Sequence, residues 1–383
     1  MSEVLPVNNE ILKWARETIG LSEDDVATRI KKTVEVIKEW ESGIAAPSYS
    51  VLEKLAYEVY KRPVAVFFFP SVPEEQNTRA EFRTLPGEIV DAMPSSIIKM
   101  YRKAKVFQLN LAELYNNKKP VMEPLLDKFK LDYRINVKNF AAEIRDFLGI
   151  DLAQQRIWNS ADTGIKVWRD AFFQKGIFVF KEAFLNDEYS GLCVYSQDYP
   201  AILINNSMPK TRQIFTMFHE LGHLLFNSGG VDLPAETFAE RLSGNYLRLE
   251  QKCNEFAGEL LFPEHEFLSL GMSFSEDAVI ELANRYKVSR EVVLRKYLNT
   301  RQIDVGVYKR FTDTWSREFF AERSSKKADG GNPYLTRKAY LGEAYINLVF
   351  GRYFQGQFSA EHLAGYLGVK VKNLSTFEGY ALG

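Results

Sequence analysis

From Asn9 to Tyr60 apolar residues recur every three to four positions, in short blocks separated by Gly, Ser and Pro. That spacing predicts four helices. The first covers residues 9–18 and is ended by Gly20. Ser22 caps the second, with Asp25 standing where a capping box carries Glu or Gln, and this helix runs to about Ile30. The third runs from Thr33 to Ser42 and stops at Gly43. Pro47 and Ser48 open the fourth, Tyr49 to Tyr60. A helix, a short turn and a second helix, with two supporting helices, is the helix-turn-helix plan.

Pro63 closes the fourth helix. The apolar run Val64-Ala65-Val66-Phe67-Phe68-Phe69 is too short for a membrane span, so a short helix packed beneath the bundle is expected. Pro70, Pro73 and the polar stretch Glu74 to Arg79 read as a domain boundary. From Ser95 to Phe147 the pattern is helical and amphipathic, interrupted at Pro120. Three short runs, 176–180, 191–195 and 201–204, then predict strands. Pro209 starts a helix that passes through Phe226 and ends at Gly229-Gly230. A second long helix is expected from about Ala235 to Phe262, stopped by Pro263, and the rest of the chain reads as mostly helical, with no internal repeat. The expected class is α+β, mainly helical. It has a helix-turn-helix domain over 1–75, a helical connecting region over 76–165, a domain with a small sheet over 166–265 and a helical C-terminal domain over 266–383.

Composition narrows the class. At 383 residues the chain is long enough for two or three domains, and 46% hydrophobic with 26% charged residues fits a soluble globular protein rather than a disordered one. No apolar run approaches the roughly 18 residues of a membrane helix, and the N-terminus lacks the basic and apolar regions of a secretory signal. Two cysteines, Cys193 and Cys253, make no disulfide framework. A cytoplasmic, reduced setting is expected, with no membrane partner and both cysteines as small buried hydrophobes. The net charge of −1 conceals an asymmetry: residues 1–75 carry nine Lys/Arg against thirteen Asp/Glu, and residues 285–338 fourteen against six. In the latter segment Arg285, Lys287, Arg290, Arg295 and Lys296 fall on an amphipathic helical stretch, Ala283 to Leu298, with Ser275 before it as a cap. A solvated face, an acidic partner or nucleic acid are the readings open to it.

The chemistry concentrates at His219-Glu220-Leu221-Gly222-His223. On a helix the two histidines, four apart, leave one face and can reach one ion. Glu220 is turned about a quarter of the circumference away, beside the metal-bound water rather than on the metal, where a carboxylate acts as base toward a peptide carbonyl. Phe215, Phe218, Leu221, Leu224, Leu225 and Phe226 make the helix a buried one, and a buried histidine pair needs a partner. A third ligand is available on the next long helix. Glu250 and Asn254 share a face there, the first able to bind zinc, the second to fix a ligand such as His219 by a hydrogen bond. Glu255 and Glu259 are rivals for the ligand position. Two His and one Glu leave a fourth place for water. Arg212, Tyr246 and His265 are candidates to stabilise an oxyanion, whereas His362 reads as a surface or core residue.

These residues resemble a known family. Phe218-His219-Glu220-Leu221-Gly222-His223-Leu224-Leu225-Phe226 followed by Asn254-Glu255-Phe256-Ala257-Gly258-Glu259-Leu260-Leu261-Phe262-Pro263 is similar to the ImmA/IrrE metallopeptidases. Trp14 through Gly20-Leu21-Ser22 to Trp40-Glu41-Ser42-Gly43 and Pro47 resembles an XRE-type, Cro/repressor-like helix-turn-helix. Phe82-Arg83-Thr84 and the Gly330-Gly331-Asn332 segment extend the likeness, which is most specific at the metal motif. It implies a zincin-like domain with a gluzincin-like Zn2+ site in which His219, His223 and Glu250 are ligands and Glu220 is the base. It also implies cleavage of a regulatory protein, such as a repressor or a toxin-linked partner, in stress, mobile-element or toxin–antitoxin control. Cys253 departs from the family, which usually has Ala there; both residues are small.

The helix-turn-helix implies DNA. Its reading helix, Thr33 to Ser42, carries three Glu and one Lys, and glutamates repel phosphates. Arg29, Lys31, Lys32, Thr33 and Lys38 are the expected DNA contacts. Such domains bind paired half-sites as dimers, which leaves a homodimer open. Two functions stand side by side: a regulatory zinc endopeptidase with a helix-turn-helix, or a DNA-binding regulator or antitoxin-like protein whose metal site is structural or sensory.

Overall fold

The computed structural model describes residues 7–60, 62–73, 93–227, 230–232, 244–325 and 331–383. Phe82-Arg83-Thr84, Gly229, Gly330 and the segment around Ala235 lie outside the described residues. The protein is mainly helical with one small mixed sheet, and its contacts divide it into two units, Met1–Arg102 and Lys103–Gly383.

The N-terminal unit holds α1 (Asn9–Glu17), α2 (Glu23–Ile30), α3 (Val34–Ser42) and α4 (Tyr49–Lys54), the last continued as a π-helical turn over Leu55–Tyr60. Its helix starts are built as the capping residues dictate. Ser22 accepts from the Asp25 amide and the Asp25 carboxylate accepts from the Ser22 amide, a complete capping box with Asp in place of Glu. Gly43 ends α3 at a φ of 77°, a turn open to glycine without strain. Ile11, Leu12, Ala15, Val26, Ile37, Leu52 and Leu55 form the core. The run after Pro63 is a 3₁₀ turn, Val64–Phe68, whose Phe67 inserts into this core at 0% exposure.

The second unit follows along α5 (Ser95–Leu114), which crosses the division, then α6 (Leu125–Lys128), α7 (Val137–Leu148), α8 (Leu152–Arg156) and α9 (Ala161–Gln174). The strands are β1 (Phe178–Glu182), β2 (Gly191–Val194) and β3 (Ala201–Asn205), then α10 (Lys210–Leu225) and β4 (Gly230–Asp232). The order is β1-β3-β2-β4, with β1 parallel to β3 and β2 antiparallel to both neighbours. The three-residue strand β4 was not foreseen, being too short to show a period. One face of the sheet sends Val179, Cys193, Ile202 and Ile204 into a core shared with α9 and α10. On the other face Phe180 stacks on Phe107 (centroids 3.9 Å apart) and meets Tyr345 edge-on at 5.1 Å.

Next come α11 (Asn245–Leu261), α12 (Glu264–Ser269), α13 (Glu276–Tyr286), α14 (Arg290–Asn299) and α15 (Val305–Ser325). The chain ends in α16 (Pro333–Leu341), α17 (Glu343–Phe354), α18 (Ala360–Leu367) and α19 (Leu374–Leu382). Two expectations are corrected. The second long helix starts at Asn245, because Gly244 before it has φ 66° and ψ −130°, a backbone no helix contains. The stretch Ala283 to Leu298 is two helices, α13 and α14. Lys287 ends the first in the left-handed region at φ 56°, and Ser289 caps the second by accepting from Val292. Ser275 caps α13 as expected. Lys296 is not on a solvated face: it is 3% exposed and pairs with Glu259.

Candidate metal centre

Helix α10 is held rigidly from behind. Phe218 meets Trp168 at 4.8 Å and Phe172 at 5.1 Å, both edge to face, and Trp168 meets Trp158 in the same way at 5.6 Å. This apolar wall fixes the helix rotation and so aims the residue after Phe218, His219, away from the core. Helix α11 packs across α10, and its C-terminal carbonyls are satisfied by buried side chains. Arg145 donates to the carbonyls of Leu260 and Ile150 and to Gln155 Oε1, and Gln155 donates to Leu261. A cation at a helix C-terminus also complements the helix dipole.

The two helices bring three ligating side chains together. His219 is 1% exposed, His223 0% and Glu250 7%. The His219 and His223 Nε2 atoms lie 3.1 Å apart, and each stands 3.2 Å from a carboxylate oxygen of Glu250. All three ligand atoms fall within 4.8 Å of one another, the only such grouping of three among the described residues. Asn254 Oδ1 lies 3.0 Å from His219 Nδ1 and accepts its proton, which places the ring's lone pair on Nε2, facing the cluster. Burial by itself raises the Glu250 carboxyl, but the charges and hydrogen bonds of the two imidazoles outweigh it and hold the group below the usual carboxylate range. Two imidazoles and an ionised carboxylate are the donor set of a catalytic zinc site. The corners of a tetrahedron with bonds of about 2.1 Å lie about 3.4 Å apart, close to the spacing observed. The residues present therefore fit a zinc ion.

Glu220 is fully buried on α10, and β2 comes within touch of it. A Cβ added to Gly191 would stand 3.7 Å from Glu220 Cγ and 2.5 Å from the Thr216 methyl, so only glycine lets the strand lie this close. Gly222 does the same on the other side, where an added Cβ would stand 3.0–3.2 Å from the Sγ, Cβ and Cα of Cys253. Gly191 and Thr216 escaped notice in the sequence, since nothing local marks a glycine in a strand as a close-approach site.

The rivals of Glu250 are engaged elsewhere. Glu255 is exposed near Lys252, and Glu259 is buried with Lys296 and accepts from the Glu264 amide. Tyr246 is buried one turn before Glu250 on the same helix face, whereas His265 is exposed on α12. His362 is exposed on α18, its Nδ1 3.1 Å from Ser359 Oγ. In the N-terminal unit Arg29, Lys31, Lys32, Thr33 and Lys38 are all exposed, at the end of α2, in the turn and on α3. Glu41 is turned inward, where it accepts two 2.7 Å hydrogen bonds from Arg16, so only two of the three glutamates of α3 face solvent.

Comparison with known proteins places both elements. Residues 174–297 match the peptidase family described as IrrE N-terminal-like domain, and residues 12–56 match the family described as helix-turn-helix. The chain thus joins an XRE-type helix-turn-helix to an IrrE/ImmA-like domain. No curated protein matches the chain. Among the described residues no helix is long and apolar enough to cross a membrane.

Proposed function

We propose that this chain is a regulatory zinc endopeptidase that acts on a protein partner, such as a repressor or toxin-linked regulator, and docks on DNA through its helix-turn-helix. The observation that carries the reading is the convergence of His219, His223 and Glu250, with Glu220 on the same helix but off the ligand line. His219, His223 and Glu250 would hold the ion, and Asn254 fixes the tautomer and rotation of His219. Zinc, when bound, supplies a Lewis acid that acidifies water and polarises a carbonyl. The Glu220 carboxylate takes a proton from the attacking water and passes it to the departing amide nitrogen. Its burial between α10 and β2 keeps it on one side of the site.

The rival is a DNA-binding regulator whose metal is structural or sensory, a reading supported by the deep burial of all three ligating side chains. A digest of a defined peptide library by zinc-loaded protein, read by mass spectrometry, decides between them. Cleavage by wild type that is lost in Glu220→Gln, with one zinc per chain retained in both, supports the peptidase. Zinc in both proteins with no cleavage in either supports the rival.

A further inference from the structure

Lys181 is the only lysine in the four strands, and its position on β1 turns it inward. In the parallel β1–β3 pair it stands opposite Ile204, as Val179 stands opposite Ile202. Side chains alternate along a strand, so Lys181 shares the face of Val179, Ile202 and Ile204, the face packed against α9 and α10. Its neighbour Glu182 looks the other way, where Lys103 and Arg337 hold it. Lys181 is 4% exposed, and among the described residues its amine meets no hydrogen-bond acceptor and no carboxylate at ion-pair distance. A buried ammonium without a partner is costly.

The surroundings raise that cost. Arg169 on α9 and Lys210 at the start of α10 act on the amine with like charge, and only Asp162, in the first turn of α9, opposes them. Asp162 is exposed and already stands 3.3 Å from Lys210. Arg169 gives its N–H groups to the Val179, Ala339 and Tyr340 carbonyls, and among the described residues it pairs with no carboxylate. Helix α10 opens at Pro209 with no side-chain cap, which leaves the positive pole of a 16-residue helix uncovered beside Lys210. Burial first, and then these charges, hold Lys181 as a neutral amine at and above pH 7. A neutral, unpaired amine is a nucleophile, and a negative charge formed on it would meet Lys210, Arg169 and the α10 terminus. Carbon dioxide suits both conditions, being an electrophile small and uncharged enough to reach a buried side chain. The nitrogen lone pair attacks its carbon, one C=O electron pair moves onto oxygen, and the proton leaving nitrogen passes to solvent. The product is an N-carboxylate, one negative charge where there was none.

We propose that Lys181 is a carboxylation site, which takes up carbon dioxide as a carbamate whose charge is balanced by Lys210, Arg169 and the start of α10. The modification ties β1 to the first turn of the helix that carries His219 and His223. Full-length protein is equilibrated with isotopically labelled carbon dioxide, and carbon NMR reads the carbamate. Alkylation of the carbamate with a trialkyloxonium salt, followed by peptide mass spectrometry, locates it. At pH 8 wild type gives a carbamate signal trapped on Lys181, and Lys181→Met and Lys181→Gln lack it. At fixed carbon dioxide pressure the signal falls at least about tenfold from pH 8 to pH 6, the change in neutral fraction of an amine that titrates at about 7. Lys210→Gln, which removes one balancing cation, lowers it several-fold. Carbon dioxide raises the Tm of wild type at pH 8 and leaves that of Lys181→Met unchanged. No adduct on Lys181, or a signal that Lys181→Met keeps in full, overturns the assignment. A Tm rise given equally by inorganic phosphate, with no labelled adduct, makes this a site for preformed anions and overturns it as well.

Discussion

Gly222 and Cys253 meet where α10 crosses α11: a Cβ built on the glycine would lie 3.2 Å from the cysteine Cα, 3.1 Å from its Cβ and 3.0 Å from its Sγ. Gly222 separates Glu220 from His223 in sequence, and Cys253 precedes Asn254. The crossing point is therefore the fulcrum that sets the reach from the histidines to Glu250. It also explains why a small residue suffices at 253, and why the departure from Ala to Cys leaves the site in place.

Gly222→Ala tests the crossing. In an open helix position the change gains about 0.5–1 kcal/mol. Here the backbone of the facing helix is in the way, and overpacking costs about 1–3 kcal/mol. The expected outcome is a lower Tm and zinc affinity weakened about tenfold, which corresponds to about 1.4 kcal/mol. Gly258→Ala on α11, with nothing within 4 Å of the added methyl, is the control and is expected to raise Tm. If calorimetry and competitive zinc titration give the two variants the same behaviour, the close approach does not govern the site.

Glu250→Ala removes the only carboxylate of the cluster. Two imidazoles alone hold zinc weakly, so metal content after dialysis against a mild chelator is expected to fall well below one per chain, as in His219→Ala, while Glu255→Ala keeps full occupancy. Elemental analysis of the three proteins reads this directly. Full occupancy in Glu250→Ala would remove it from the ligand set.

Part of this site was legible in sequence because its geometry is helical. His219 and His223 are related by one turn, as are Glu250 and Asn254, and intrahelical spacing is written in the chain. The N-terminal domain was legible for a similar reason, since Ser22, Asp25 and Gly43 are local signals that act on their own neighbours. What was not legible depends on distant partners. Lys296 reads as a surface cation until Glu259, 37 residues earlier, is placed beside it. Gly191 gains its meaning from Thr216 and Glu220, and Glu41 leaves the reading face only because Arg16 draws it inward. The break at Lys287 was hidden because apolar spacing continues through it; the capping hydroxyl of Ser289 was the signal available.

Lys181 on β1 is 4% exposed, and its amine is lowered to about 7, first by burial and then by the charges of Arg169 and Lys210. The sign follows from proton binding. Between pH 7 and the ordinary lysine range near 10.5 the unfolded chain holds a proton that the folded chain does not, so stability rises with pH across that window. Below pH 7 both states are protonated and the cost of burying the charge is felt in full. Lys181→Met removes that cost. The variant is expected to exceed wild type at pH 6 by on the order of a few kcal/mol, the gap closing toward pH 10. Denaturant titrations of both proteins at pH 6, 8 and 10 measure it; a gap constant with pH would mean that Lys181 is not the titrating group.

Arg16 and Glu41 lock α1 to α3, with side chains 9% and 8% exposed. Glu41→Gln keeps the shape but leaves the guanidinium short of charge. Glu17 and Glu23, at 3.9 and 3.6 Å, compensate in part, so the loss is expected near the lower end of the range for a broken buried pair, about 3 kcal/mol. Denaturant unfolding followed by Trp14 and Trp40 fluorescence should show the N-terminal domain melting earlier. An unshifted transition would make the pair dispensable.

The inward turn of Glu41 also changes the electrostatics of DNA binding. Over residues 29–42 the exposed groups are Arg29, Lys31, Lys32 and Lys38 against Glu35 and Glu39, a balance of +2 that would be +1 with Glu41 facing outward. If this surface meets phosphates, each contact releases counterions, and the logarithm of the binding constant falls with the logarithm of salt with a slope of about 0.9 per phosphate neutralised. Lys31→Ala, Lys32→Ala and Lys38→Ala combined in the full chain should reduce that slope by about 2 to 3 for a 30-base-pair duplex of arbitrary sequence. Zinc content should not move, because none of the three lies in the metal-binding unit. A slope unchanged by the triple substitution would place the DNA contact elsewhere. Wild type that fails to bind the duplex even at low salt would make the domain a protein-docking module, whose partner must then be sought among acid-tolerant surfaces rather than nucleic acid.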